Sequence, residues 1–68
     1  MNQETFNLSI RKFLKMVGIN SQREIEQAVT KAIESGTIKG TETFPVHVTL
    51  EVAGLRISAK FDGEIKLQ

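Results

Sequence analysis

The chain has 68 residues, 40% of them hydrophobic and 25% charged, with one proline and no cysteine. Disulfides and thiol redox chemistry are therefore excluded, and a chain this short has little apolar surface to build a core from. A formal net charge of +1 is too small to imply a polyanionic partner. It also divides weakly, with six Lys/Arg against four acids in residues 1–40 and three against four in 41–68. The start, MNQETFNLS, lacks the basic end and apolar run of a secretory signal, and no stretch approaches a membrane span, so the expected compartment is the cytoplasm.

In ETFNLSIRKFLKMVG, Phe6, Ile10, Phe13, Leu14 and Val17 fall on one stripe of an amphipathic helix. Leu8 lies on the opposite side, ringed by Arg11, Lys12 and Lys15, with Met16 beside the ring. Single exposed leucines are common on protein surfaces. One set among cations is nonetheless the chain's best candidate for gripping an acidic partner or a membrane surface. Gly18 stands where a helix ends in a left-handed residue.

The stretch GINSQREIEQAVTKAIESG, residues 18–36, then reads as a second helix opened by a capping box. Ser21 accepts from the Glu24 amide while the Glu24 carboxylate reaches back to the Ser21 amide. Ile19 is placed to staple against Ile25, and the helix buries Ile25, Ala28, Val29, Ala32 and Ile33 before ending at Gly36. Two helices followed by strands suggest a winged-helix order. The outer face of the second helix, however, carries Arg23, Glu24, Glu26, Lys31 and Glu34, more carboxylates than cations, which repels phosphates. Leu14 also occupies the position where helices that cross closely need a small residue.

After TIKGTET the period changes to two. Phe44, Val46, Val48, Leu50 and Val52 face one way; Leu55, Ile57, Ala59 and Phe61 repeat the pattern; Ile65 and Leu67 make a short third strand. A turn at Ala53-Gly54, or a looser four-residue connection in the same register, sets Val52 opposite Leu55 and Val46 opposite Phe61. A three-residue loop Phe61-Asp62-Gly63, with Gly63 left-handed in a bulge, pairs Ala59 with Ile65 and Lys60 with Glu64. The expectation is a single α+β domain over 1–68: two N-terminal helices packed on one face of a three-stranded antiparallel meander, ααβββ.

Chemistry is sparse. His47 falls on the polar strand face near Thr49 and Ser58, with no orienting carboxylate at a useful spacing and no enclosing pocket, so no catalytic residue is assigned. One histidine and scattered acids match no metal-ligand spacing, and no cofactor is expected. GTIKGTE lacks the Lys-Ser/Thr pair of a phosphate loop and reads as a helix end and a loop. RNA recognition by a sheet calls for exposed aromatics, whereas Phe44 and Phe61 fall on the apolar side. The edge of the first strand, from after Pro45 to Val52, is a second candidate surface for another copy or an extended peptide.

The opening MNQETFNLSIRKFLKMVGINSQREIEQAV, with its FN.SIRKFLK helix, SQREIE cap and a later apolar-alternating half ending near DGEI, resembles a family of short bacterial proteins of unknown function. The resemblance implies a small stand-alone protein and carries no activity, ligand or site. The expected function is a non-enzymatic protein-interaction module, monomeric or homodimeric, using Leu8, Arg11, Lys12 and Lys15 or the first strand's edge. The alternative is weak nucleic-acid binding of winged-helix-like order.

Overall fold

The computed structural model describes all residues 1–68. A single helix α1, Gln3–Glu34, is followed by strand β1, Thr43–Val52, a 3₁₀ turn Ala53–Leu55, and strand β2, Ile57–Lys66. The two expected helices are one, and the three expected strands are two. The chain divides into two compact units, Met1–Thr37 and Ile38–Gln68.

Helix α1 is opened by Asn2, whose Oδ1 accepts from the Thr5 amide at 3.0 Å. Glu4 in its first turn and Lys31 in its last complement the backbone dipole. It runs through Gly18 and Ser21 without interruption. A helix-interior glycine costs about 1 kcal/mol relative to alanine. Breaking the ladder there would strip partners from as many as four carbonyls and four amides, and a capping box returns only two donors. Continuity therefore wins, and Ser21 and Glu24 become ordinary interior positions. Ile19 loses its role as a staple and is half exposed, at 50%. The expected end at Gly36 is observed: Gly36 is left-handed, φ 77°, its amide donates to the Ile33 carbonyl at 3.1 Å, and the Thr37 amide donates to that of Ala32 at 2.9 Å.

In the second unit β1 and β2 form a two-stranded antiparallel sheet. Val52 pairs with Ile57, Leu50 with Ala59, Val48 with Phe61, Val46 with Gly63 and Phe44 with Ile65. The register is two residues away from the expected one, because the connection takes in Leu55 and Arg56. A shift of two leaves the side chains that remain in the strands on their expected faces, while Leu55, expected to face in, moves into the turn and is exposed. The expected second hairpin is absent. Gly63 is not left-handed but continues the apolar row from Ala59 and Phe61 to Ile65, so a ten-residue β2 pairs along the whole of β1. Pro45, expected just ahead of the first strand, lies within it opposite Glu64. Arg56 closes the connection at φ 56°, a left-handed conformation unusual for arginine.

No side chain is fully buried in either unit. The elements from which the expected helices-on-sheet core was to be built are not there: one helix stands in place of two and two strands in place of three.

The continuous helix makes a direct prediction. In its interior a methyl at Gly18 meets nothing within 4 Å, so Gly18→Ala should stabilise the helix by about 1 kcal/mol. That is read as a higher thermal midpoint in far-ultraviolet circular dichroism. At a left-handed turn the same change would destabilise by about 1–2 kcal/mol.

Candidate functional site

The helical period places Leu8, Arg11, Lys12 and Lys15 on one side of α1, at spacings of three and four residues. All four are exposed, Leu8 to 63%. The unbroken helix adds a residue that the sequence reading assigned elsewhere. Ile19 lies eleven residues beyond Leu8, three turns along the same side, so Leu8 and Ile19 bracket the lysines with Met16 alongside. The signal was in the sequence, as the spacing from 8 to 19. It becomes visible only when Gly18 is read as helical.

The second candidate, the edge of β1, is present as an outward strand edge, and β2 has one as well because the sheet has only two strands. Pro45 removes one amide from β1. On the polar face His47 stands opposite Asp62 and Thr49 opposite Lys60. Asp62 lies 3.9 Å from the Lys60 ammonium along its own strand, and both side chains are well exposed, so this ion pair contributes little. No group of three His, Cys, Asp or Glu is arranged to hold a metal ion. A shallow depression along α1 is lined by Glu26, Gln27, Thr30, Lys31 and Glu34, a polar set open to solvent.

The loop that leads into β1, within the second unit, does hold an anion, the chain's own. The Glu42 carboxylate accepts from the amides of Lys39 at 2.9 Å, Gly40 at 2.9 Å and Thr41 at 3.0 Å. Gly40 supplies the left-handed turn, φ 104°, that points consecutive amides inward. GTIKGTE is thus the helix end and loop that its sequence indicated, and the amides of residues 39–41 are satisfied by Glu42.

Comparison with known proteins places the chain. Residues 1–68, its whole length, match a family of unknown function, DUF6494. The chain belongs to that family. No curated protein and no solved structure matches it. Membership of DUF6494 assigns no residue a role, so the ranking of surfaces in this DUF6494 chain rests on its geometry alone. No helix is long and apolar enough to cross a membrane.

The Glu42 cradle generates a pH prediction. Hydrogen bonds from the amides of Lys39 and Gly40 hold its carboxyl below the ordinary value of 4.5, against a smaller opposing effect of desolvation. A depressed folded pKa means that the unfolded loop takes up the proton first. The cradle's contribution is therefore complete above the ordinary carboxylate pKa and disappears as pH falls through the lowered one. Amide resonances of residues 39–41 should titrate together in that acidic window, and Glu42→Gln should abolish the titration.

Proposed function

We propose that this DUF6494 chain is a non-enzymatic protein-interaction module that presents the Leu8 side of α1 to an acidic protein partner. The observation that carries the reading is an apolar side chain 63% exposed among three cations on a regular helix. Leu8, with Ile19 in line, supplies contact area that gains by leaving water. Arg11, Lys12 and Lys15 supply electrostatic steering and favour carboxylates at the rim. The open strand face around His47 supports no competing catalytic reading, because nothing encloses it or supplies convergent donors. The nucleic-acid alternative loses the feature that motivated it, since a continuous α1 contains no turn between two helices.

The test is capture from a native lysate by tagged protein, with nuclease present, comparing wild type with Leu8→Glu and with Lys12→Glu. Partners held by wild type should be lost with Leu8→Glu and reduced, in a salt-dependent way, with Lys12→Glu. Equal capture by all three, or capture that nuclease abolishes, would overturn the reading.

A further inference from the structure

The two edges of the β ribbon are unlike. The Leu67 amide donates to the Glu42 carbonyl at 3.0 Å, in line with the register that pairs Thr43 with Lys66. The even-numbered residues of β1 therefore bond to β2, and the odd-numbered ones turn their amides and carbonyls outward. Pro45, which has no amide, falls in the outward set, as this alternation requires. Beyond it the outward groups are those of His47, Thr49 and Glu51, all exposed residues with no strand on that side. Strand β2 carries Lys60, Asp62, Glu64 and Lys66, a charged composition that blocks edge-to-edge pairing, whereas Glu51 is the one Asp, Glu, Lys or Arg of β1. From these observations we propose that β1 pairs along its open edge with β1 of a second copy of this chain, antiparallel, about a two-fold axis at Thr49. The proposal goes beyond the Leu8 surface, which lies on α1, and is independent of it.

The chain fixes both the register and the occupant. Proline belongs outside a ladder that is paired on both sides, and β1 ends at Val52, where the 3₁₀ turn begins. The length open to pairing is therefore residues 46–52, and its fullest antiparallel match with itself is centred on Thr49, with every residue taking part. Val46 then stands opposite Val52, His47 opposite Glu51, Val48 opposite Leu50 and Thr49 opposite Thr49. Each outward amide meets an outward carbonyl, apolar residues meet apolar ones, a carboxylate meets an imidazole, and the threonines on the axis meet each other. Moving the axis to Val48 sets Pro45 opposite Glu51, and moving it to Leu50 sets His47 opposite Ala53 in the turn. A two-fold axis perpendicular to the sheet keeps both apolar rows on one face. Two ribbons, each marginal alone, become one four-stranded sheet whose outer edges are both the charged β2. An extended peptide would use the same amides but would draw nothing from the match between this segment and its own reverse.

The absence of cysteine lets a single thiol be placed on the axis. In full-length protein Thr49→Cys faces its counterpart with about 5.5 Å between Cα atoms, within disulfide reach, whereas Glu51→Cys lies about 14 Å from its own, four residues along the strand. Mass is measured by sedimentation from low to high micromolar concentration, and crosslinking in a glutathione redox buffer. The expected result is a reversible dimer, with a disulfide-linked dimer from Thr49→Cys and none from Glu51→Cys. Thr49→Pro deletes the amides on the axis without touching the bonds to β2, as Pro45 does at its own position, and should weaken association about thirtyfold or more. Leu8→Glu should leave the dimer intact. A monomer throughout overturns the proposal, as does a folded Thr49→Pro that still dimerises fully, or a dimer in which Glu51→Cys crosslinks as readily as Thr49→Cys. If Thr49→Pro loses the circular dichroism of the folded chain, the two cysteine variants decide alone. A monomer whose lysate partners are lost with Thr49→Pro also overturns it and assigns the edge to an extended peptide. Loss of lysate partners with Leu8→Glu stands or falls separately from dimerisation, because Leu8 is on α1 and the edge is on β1.

Discussion

The unbroken backbone ladder through residues 18–21 is the constraint on which the rest depends. Once Gly18 is helical, α1 is 32 residues long and no second helix is left to pack against it. The apolar residues that would have faced each other in a helical pair lie instead along one rod, those from Ile25 to Ile33 turned part-way round from those between Phe6 and Val17. Leu8 and Ile19, which a break would have separated, come into line on one side of it. A glycine that costs about 1 kcal/mol is retained because a break would have left more backbone groups unpaired than its cap could recover.

The same logic governs the hairpin. A β1 of ten residues has ten residues' worth of backbone groups to pair, and a partner interrupted at Asp62 and Gly63 would have left its outer end bare. Running β2 straight through Gly63 pairs Pro45 with Glu64, Phe44 with Ile65 and Thr43 with Lys66. The result is a long two-stranded ribbon with one apolar face. A ribbon of that kind is marginal alone in water, as is a lone amphipathic helix without a packed face. With no side chain fully buried in either unit, the apolar surface of the chain is the property its function has to account for.

Local periodicity was legible in the sequence. Helix across Phe6, Ile10, Phe13, Leu14 and Val17 and across Ile25, Ala28, Val29, Ala32 and Ile33, the glycine stop at Gly36 and the sorting of strand residues into two faces survive in the structure, except that Leu55 leaves the strand for the turn and that Leu14 and Ile33 are exposed. What was not legible was continuity. Ser21 and Glu24 satisfy the pattern of a cap whether or not a helix begins there, because the pattern tests only four residues. Parity could not separate one strand from two, since both a three-residue loop and an uninterrupted strand keep Ala59, Phe61 and Ile65 on one face. The Leu8 patch was readable because it needs only the helical period over eight residues. Ile19 was missed because it needs that period to cross Gly18, and the Glu42 cradle because it depends on backbone direction at Gly40.

Amide hydrogen exchange at Gln22 and Arg23, followed by nuclear magnetic resonance, tests the continuous helix most directly. In an unbroken α1 these amides donate to carbonyls one turn back, at Gly18 and Ile19, and should exchange as slowly as those of neighbouring interior turns. If a helix began at Ser21 they would be the unpaired amides of its first turn, and they would exchange rapidly while Glu26 and the residues after it stayed protected. Rapid exchange confined to those two positions would contradict the account from the helix outward.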